Sequence, residues 1–541
     1  MKRIFYNGKI RAERDRWVSA LYIEDGQIIA VGSDEEILNM AESEEGVESE
    51  NLEGRLTLPG FNDSHLHFLY TGRFLTQADL GGTKSIGEVK EVLQRFLREH
   101  DFEGGKWLQS YGWNEENWEE GRLLTRADLD QVTAEVPVLA ARVCTHICTV
   151  NSPLLRLIGV DPDLPWKGES WIGVDENGIP NGIIYERVSE TYNAMPRPGA
   201  EEIEEVLIQM GKKAAEVGLT SIQSDDLQSM PGYSGKDVIE AYRRLEGEGR
   251  LPVRVSEQCR ITSLEEYEEF QANGYRTGQG NSLFRLGALK TFCDGSLGAR
   301  TAWLKEDYSD DPGNRGIRIY EDREELWRLL ERAHRDGMSA AIHCIGDGAC
   351  EQAVSVIEEV QKKYPEQKNR HGIVHAQILS KDLIERMAKA GILGYIQPVF
   401  LECDLHMAES RVGRDRLEYS YDFRRMYDAG IKIPFGTDAP VEPFAPMDNI
   451  YCAVTGMDFD GKPEGGWHTE KLLTLDEAVD CYTAHSAYAS FEENYKGRLL
   501  PGFVADFTVL DRDIFSIPPE DIKNVRPVLT VMGGSVTYRR K

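Results

Sequence analysis

His65-Leu66-His67, Lys290, His343, His375 and Asp438 are the residues of this chain whose types and positions could do chemistry. Side chains i and i+2 of a β-strand share one face, so His65 and His67, ending the run Leu58-Pro59-Gly60-Phe61-Asn62-Asp63-Ser64, can grip one divalent cation side by side. His343 ends Ser339-Ala340-Ala341-Ile342, His375 ends Gly372-Ile373-Val374, and Asp438 closes Ile433-Pro434-Phe435-Gly436-Thr437. One histidine in such a place is usually a satisfied core residue. Four potential ligands ending four different strands are harder to explain that way. Lys290 closes the apolar run Gly287-Ala288-Leu289, where a charged amine is costly unless it is paired or neutralised. Carbamylation by carbon dioxide would turn the amine into a carboxylate-like ligand able to bridge two metals; a snorkelling lysine, or one beside an acid, is the plainer alternative.

The elements that must position these residues alternate between strand and helix. Apolar strand candidates are 219–222, 253–256, 285–292, 338–342, 372–374, 392–396 and 431–436, and the strand before His65 makes eight. Polar amphipathic stretches of helical length, such as 321–335 and 381–390, separate them. Eight β/α units predict a (β/α)8 TIM-type barrel, an α/β fold whose active site lies at the C-terminal ends of the strands. Short strands at both chain ends, with Asp25-Gly26 as a hairpin signal, predict a small β-sandwich domain built from 1–56 and 500–541. The barrel then occupies 57–499, interrupted after its first strand by an insertion at about 70–198. That insertion carries Trp107, Trp113, Trp118, Trp166 and Trp171, which suit a substrate pocket and a self-contained core equally well.

Composition narrows the classes. The 541 residues, 41% hydrophobic and 28% charged, are ordinary for a globular chain. A net charge of −30 argues against nucleic acid as a partner. No apolar run approaches the ~20 residues of a membrane span, and the charged start Met1-Lys2-Arg3 lacks a signal peptide's apolar run. A cytoplasmic protein with a small-molecule substrate is the expectation, with a homodimer as the default assembly. The nine cysteines form no Cys-x-x-Cys pair and are expected to be reduced and mostly buried.

Taken together, the motifs resemble the metal-dependent amidohydrolase superfamily, specifically its YtcJ-like branch, which includes N-substituted formamide deformylases. The markers are Pro59-Gly60-Phe61 through His67, Lys290-Thr291-Phe292-Cys293-Asp294-Gly295-Ser296-Leu297-Gly298-Ala299-Arg300, and Ile342-His343-Cys344-Ile345-Gly346-Asp347. His375-Ala376-Gln377, Gln397-Pro398 and Gly436-Thr437-Asp438-Ala439-Pro440 complete them. The resemblance implies that His65, His67 and Asp438 hold the more buried metal, that His343 and His375 hold a second, and that carbamylated Lys290 bridges the two. Zinc is the first expectation for so imidazole-rich a set, with iron, manganese and cobalt open. The implied reaction is hydrolysis of an amide or N-acyl C–N bond by a metal-activated hydroxide, with Asp438 carrying the proton to the departing amine. His146 stands where the family has a histidine and is expected to act with Asp438 as a catalytic residue by hydrogen-bonding the substrate, although Cys144-Thr145 replaces the usual Asp-Gly, and Val374 stands where Glu is common. Trp113, Arg300 and Gln397 are the expected substrate contacts.

Two other readings compete. A deaminase of a small heterocycle on the same barrel would use one metal and a Glu three residues after the fifth-strand histidine, where this chain has Gly346. A non-catalytic metal-binding scaffold would tend to have lost ligands that are all retained here.

Overall fold

The computed structural model describes residues 1–41, 45–102, 105–144, 146–192, 194, 199–228 and 233–541. They divide into two compact units: Met1–Phe68 with Gly211–Asp226 and Tyr242–Lys541, and Leu69–Met210 with Leu227–Ala241.

The first unit contains the barrel. Its strands are β1 (Phe61–Leu66), β2 (Leu219–Ser224), β3 (Arg254–Arg260), β4 (Phe284–Phe292), β5 (Ala340–Cys344), β6 (Gly372–His375) and β7 (Leu393–Tyr395). They lie side by side in chain order, and every neighbouring pair is parallel. The eighth strand expected at 431–436 is not a regular one. Its only ladder bridge among the described residues is Ile396 with Phe435. Pro434 has no N–H to give a ladder, and the segment closes the ring by single bonds instead. Ile396 N donates to Pro434 O at 3.0 Å and Gly436 N to Ile396 O at 3.0 Å on one side. On the other, Ser64 N donates to Phe435 O at 2.9 Å and Asp438 N to His65 O at 2.8 Å. The cylinder is therefore closed, and its irregular seam falls between the ligand candidates His65 and Asp438.

The helices form where the polar periodicity put them. Arg323–Arg335 starts at Asp322, whose carboxylate caps Glu324 N. Lys381–Ala390 starts at Ser380 and stops at Gly391, held in the left-handed conformation at φ 65°.

The two chain ends build two further sheets in this unit. One runs Gln27–Gly32, Ala20–Glu24, Lys2–Tyr6, Val47–Asn51; Asp25 and Gly26, at φ 48° and 82°, make the expected hairpin turn. The other runs Ser535–Arg539, Pro527–Met532, Phe507–Leu510, Leu56–Pro59, Lys9–Glu13, Arg16–Val18. Phe5, Ile10, Leu21, Phe507 and Val531 form a shared core, with the Phe5 and Phe507 rings edge to face at 4.8 Å. Leu56–Pro59 pairs with Phe507–Leu510, so the terminal sheet runs on to Pro59 and passes directly into β1 at Phe61. Gly60 makes that passage possible: a Cβ there would meet Thr220 Oγ1 at 2.1 Å.

The second unit has a fold of its own. Its six-stranded sheet runs Ile172–Val174, Pro180–Tyr185, Ile147–Val150, Val138–Arg142, Leu108–Trp113, Ala78–Asp79, with the helix Ile86–Glu99 packing Val89 and Leu93 into its core. The limit expected near 198 lies outside the described residues. No described helix is long and apolar enough to cross a membrane. Seven of the nine cysteines are buried and none is in a disulfide.

Candidate metal centre

His343 and His375 sit at the ends of their strands because the apolar residues before them are buried in the barrel wall. Ala340, Ala341 and Ile342 lead to His343; Ile373 and Val374 lead to His375; all five are fully buried. His65 and His67 leave the end of β1 with Asp438 opposite. His65 Nε2 and His67 Nε2 lie 3.3 and 3.2 Å from Asp438 Oδ1, yet that buried oxygen accepts no hydrogen bond among the described residues. Ligand atoms about 2.0–2.1 Å from a tetrahedral cation stand about 3.3 Å from one another. Asp438 and His375 have φ of 58° and 76°, a left-handed conformation that a non-glycine residue holds at a cost of about 1–3 kcal/mol. Gly436 allows the seam to approach, since a Cβ there would meet His65 N at 2.6 Å.

The outer nitrogen of each imidazole is tied down, which fixes its tautomer. His65 Nδ1 donates to Gln258 Oε1 at 2.6 Å and His67 Nδ1 to the Asp225 carbonyl at 3.1 Å. His375 Nδ1 donates to Gln397 Oε1 at 2.8 Å and His343 Nε2 to the Gly295 carbonyl at 3.1 Å. The remaining nitrogens carry lone pairs into the centre.

His343 and His375 make the strongest case. Their inner nitrogens, Nδ1 and Nε2, face each other at 3.0 Å. Burial holds His343 well below the usual imidazole range and lowers His375 to about 3. Two neutral imidazoles bring two protons to three contacts, and the outer two contacts end on carbonyl oxygens that can only accept. The middle contact is lone pair against lone pair. A divalent cation satisfies it; no rearrangement of two protons does.

The charges agree. Burial pushes Asp438 up, but the His65, His67 and His375 imidazoles hold it well below the usual carboxylate range. Burial pulls His67 down, but the Asp438 and Asp225 carboxylates leave it raised, so the centre welcomes positive charge at that point. Lys290 is fully buried, and its Nζ has no hydrogen-bond partner among the described residues. Nζ lies 3.9 Å from Asp225 Oδ2 and 3.6 Å from the Phe292 ring centroid, and burial depresses the amine to about 8.

These donors, their spacing and their proton count fit a divalent cation, and the matches to known proteins concur. The model of the amidohydrolase family matches residues 48–538. The chain belongs to this family. The putative amidohydrolase YtcJ of Bacillus subtilis (strain 168) is 33% identical over 545 residues, covering 100% of both chains. The N-substituted formamide deformylase of Arthrobacter pascens is 24% identical, covering 97% of this chain and 96% of its own. The crystal structure of an uncharacterized metal-dependent hydrolase from Pyrococcus horikoshii OT3 is similar at a TM-score of 0.79 and 28% identity, covering 96% of this chain and 99% of the other.

The other expected contacts of this amidohydrolase stand as follows. Gln397 Oε1 is turned onto His375. Arg300 bonds Asp310 through Nε at 3.1 Å and Nη2 at 2.9 Å, on the loop after β4. Trp113 is 0% exposed in the core of the second unit, stacked on Trp118 at 5.3 Å, and its indole N–H is used by the Ala140 carbonyl at 2.9 Å. It therefore presents no free face to a ligand, because the insertion has a hydrophobic core to fill. His146, in the same unit, is exposed, with Nδ1 3.0 Å from Glu186 Oε2.

Four organising residues were given no role from the sequence, although Asp63 and Asp294 lie within its marker motifs. Asp63 accepts from His65 N, Thr437 N, Thr437 Oγ1 and Tyr482 OH, and so ties β1 to the Asp438 segment. Asp294 accepts from Trp303, Ile345 and Gly346 N, fixing the loop whose Gly295 carbonyl holds His343. Asp225 pairs with Arg260 Nη2 at 2.7 Å. Gln258 reaches from β3 to His65, 193 residues away. The only signal for any of them is a polar residue inside an apolar strand or at its end.

Proposed function

We propose that this chain hydrolyses a C–N bond of an amide or N-acyl compound with the help of two divalent cations, of which His65, His67 and Asp438 would hold one and His343 and His375 the other, with the carbamate of Lys290 as a ligand they would share. The opposed lone pairs of His343 and His375 beside the His65–His67–Asp438 cluster carry this reading. The name of the Arthrobacter relative favours an N-acyl substrate, and the imidazole-rich set favours zinc. Cations held there would supply Lewis acidity to a carbonyl oxygen and would lower the pKa of water to roughly 7. Asp438, kept ionised by its imidazole neighbours, takes a proton on a carboxylate oxygen and returns it to the departing amine. Asp63 and Thr437 keep that carboxylate in place, and burial gives Lys290 the neutral-amine fraction that reacts with carbon dioxide. The substrate is a small molecule and the compartment the cytoplasm.

The test is metal content by elemental analysis, together with hydrolysis of a panel of N-formyl and N-acyl amines before and after chelation. Two equivalents of metal, activity lost on chelation and activity restored by Zn2+ or Co2+ are expected. Equal rates in stripped and loaded protein sink the proposal. Ammonia released from purines or pyrimidines, with no N-acyl hydrolysis, points to the deaminase.

A further inference from the structure

We infer that Gln258 and Gln397 are a matched pair of positioning residues, one for His65 and one for His375, whose neutral amides set how tightly the centre binds metal. The inference rests on the metal reading above and goes beyond it by naming what tunes the site.

The two glutamines are built alike. Each is buried, at 2% and 4% exposure. Each spends its Nε2 on a backbone carbonyl: Gln258 on Ser64 O at 3.0 Å, and Gln397 on Tyr395 O at 3.1 Å. That fixes the amide orientation, so Oε1 must face the imidazole, at 2.6 Å for His65 and 2.8 Å for His375. An oxygen there forces the proton onto Nδ1 and leaves Nε2 free to ligate.

The acceptor's charge is the second half of the device. A carboxylate in that place makes an imidazole a stronger donor, which raises metal affinity and drains positive charge from the cation. Here all four imidazoles give their outer N–H to neutral oxygens, two of them glutamine amides and two backbone carbonyls. The nearby carboxylates are farther off and otherwise engaged. Asp225 Oδ2 is 3.8 Å from His67 Nδ1 and pairs with Arg260; Asp294 Oδ1 is 3.4 Å from His343 Nε2 while its carboxylate takes three backbone N–H groups. The arrangement fixes ligand direction as firmly as a carboxylate would, while leaving the cations more acidic.

The experiment uses the full chain and the single variants Gln258→Glu, Gln258→Leu, Gln397→Glu and Gln397→Leu. Each is stripped by a chelator and titrated with Co2+ against a chromophoric competitor, and the visible absorption bands of bound Co2+ are recorded. Leu cannot accept a hydrogen bond, and each Leu variant is expected to bind about 10–100-fold more weakly. Each Glu variant is expected to bind tighter, by about tenfold on the same scale, with shifted Co2+ bands. A residue that merely fills space would weaken binding on both changes. Glu variants that fold and bind no tighter than wild type overturn the inference, as do Leu variants with unchanged affinity; the Leu pair decides alone if the Glu pair does not fold. Wild-type protein that takes up no Co2+ overturns the metal reading itself, a result distinct from either.

Discussion

Lys290→Met should stabilise the metal-free protein while weakening metal binding at the proposed centre. The lysine is completely buried, its Nζ has no hydrogen bond among the described residues, and burial brings it from 10.5 down to about 8 even with Asp225 at 3.9 Å. A fall of that size corresponds to roughly 3 kcal/mol of destabilisation at neutral pH. The Phe292 ring, 3.6 Å from Nζ, returns about 0.5–2 kcal/mol as a cation–π contact. Methionine fills a similar volume without the charge, and Asp225 keeps Arg260 as its partner, so the expected net gain is about 1–3 kcal/mol at pH 7. The sign with pH follows from the direction of the shift. Below pH 8 the amine is charged in both folded and unfolded chains, and the penalty is fully present. Between pH 8 and 10.5 the unfolded chain binds the extra proton, so wild-type stability rises; above 10.5 the penalty is gone. The assay is urea unfolding of chelator-treated protein in carbon dioxide-free buffer at pH 7 and pH 10.5, with both units followed. A Met variant no more stable than wild type at pH 7, or a gain undiminished at pH 10.5, would refute this account of Lys290.

Three further outcomes are expected. Asp63→Ala strands four donors, from His65, Thr437 and Tyr482, and should cost at least about 3 kcal/mol and lower metal affinity, read by unfolding and by Co2+ titration. Trp113→Phe leaves the Ala140 carbonyl without its indole donor and should cost about 1–3 kcal/mol with KM unchanged; a large rise in KM in folded protein would restore Trp113 as a substrate contact. Arg300→Ala leaves Asp310 paired with Arg411, so the thermal midpoint should hold, and a tenfold rise in KM in the same preparation would mark a direct role in substrate binding.

Much of the candidate site was legible because its ligand candidates follow a one-dimensional rule. An apolar run followed by His marks the C-terminal end of a barrel strand, and the ends of all barrel strands meet on one face. His343 after Ala340-Ala341-Ile342 is the clearest instance. The eighth strand was half legible: its apolar run marks a buried segment, but Pro434 takes it out of the ladder and leaves a seam of single bonds. Gln258 could not have been found, because a glutamine in a strand is unremarkable until the barrel closes and brings it to His65. Trp113 was ambiguous for the opposite reason, since a large aromatic serves a pocket and a core equally, and only packing tells which.

The sequence by itself determined the alternation of strand and helix, the order of the six ligand candidates and the place of His65, His343 and His375 at strand ends, all of which follow from local periodicity. Only the tertiary structure decided which nitrogen of each imidazole points inward, that His343 and His375 meet lone pair to lone pair, and that the partners behind them are amides and carbonyls. The physical reason is that a proton's position depends on acceptors contributed by different strands. Those acceptors become neighbours only when the barrel closes.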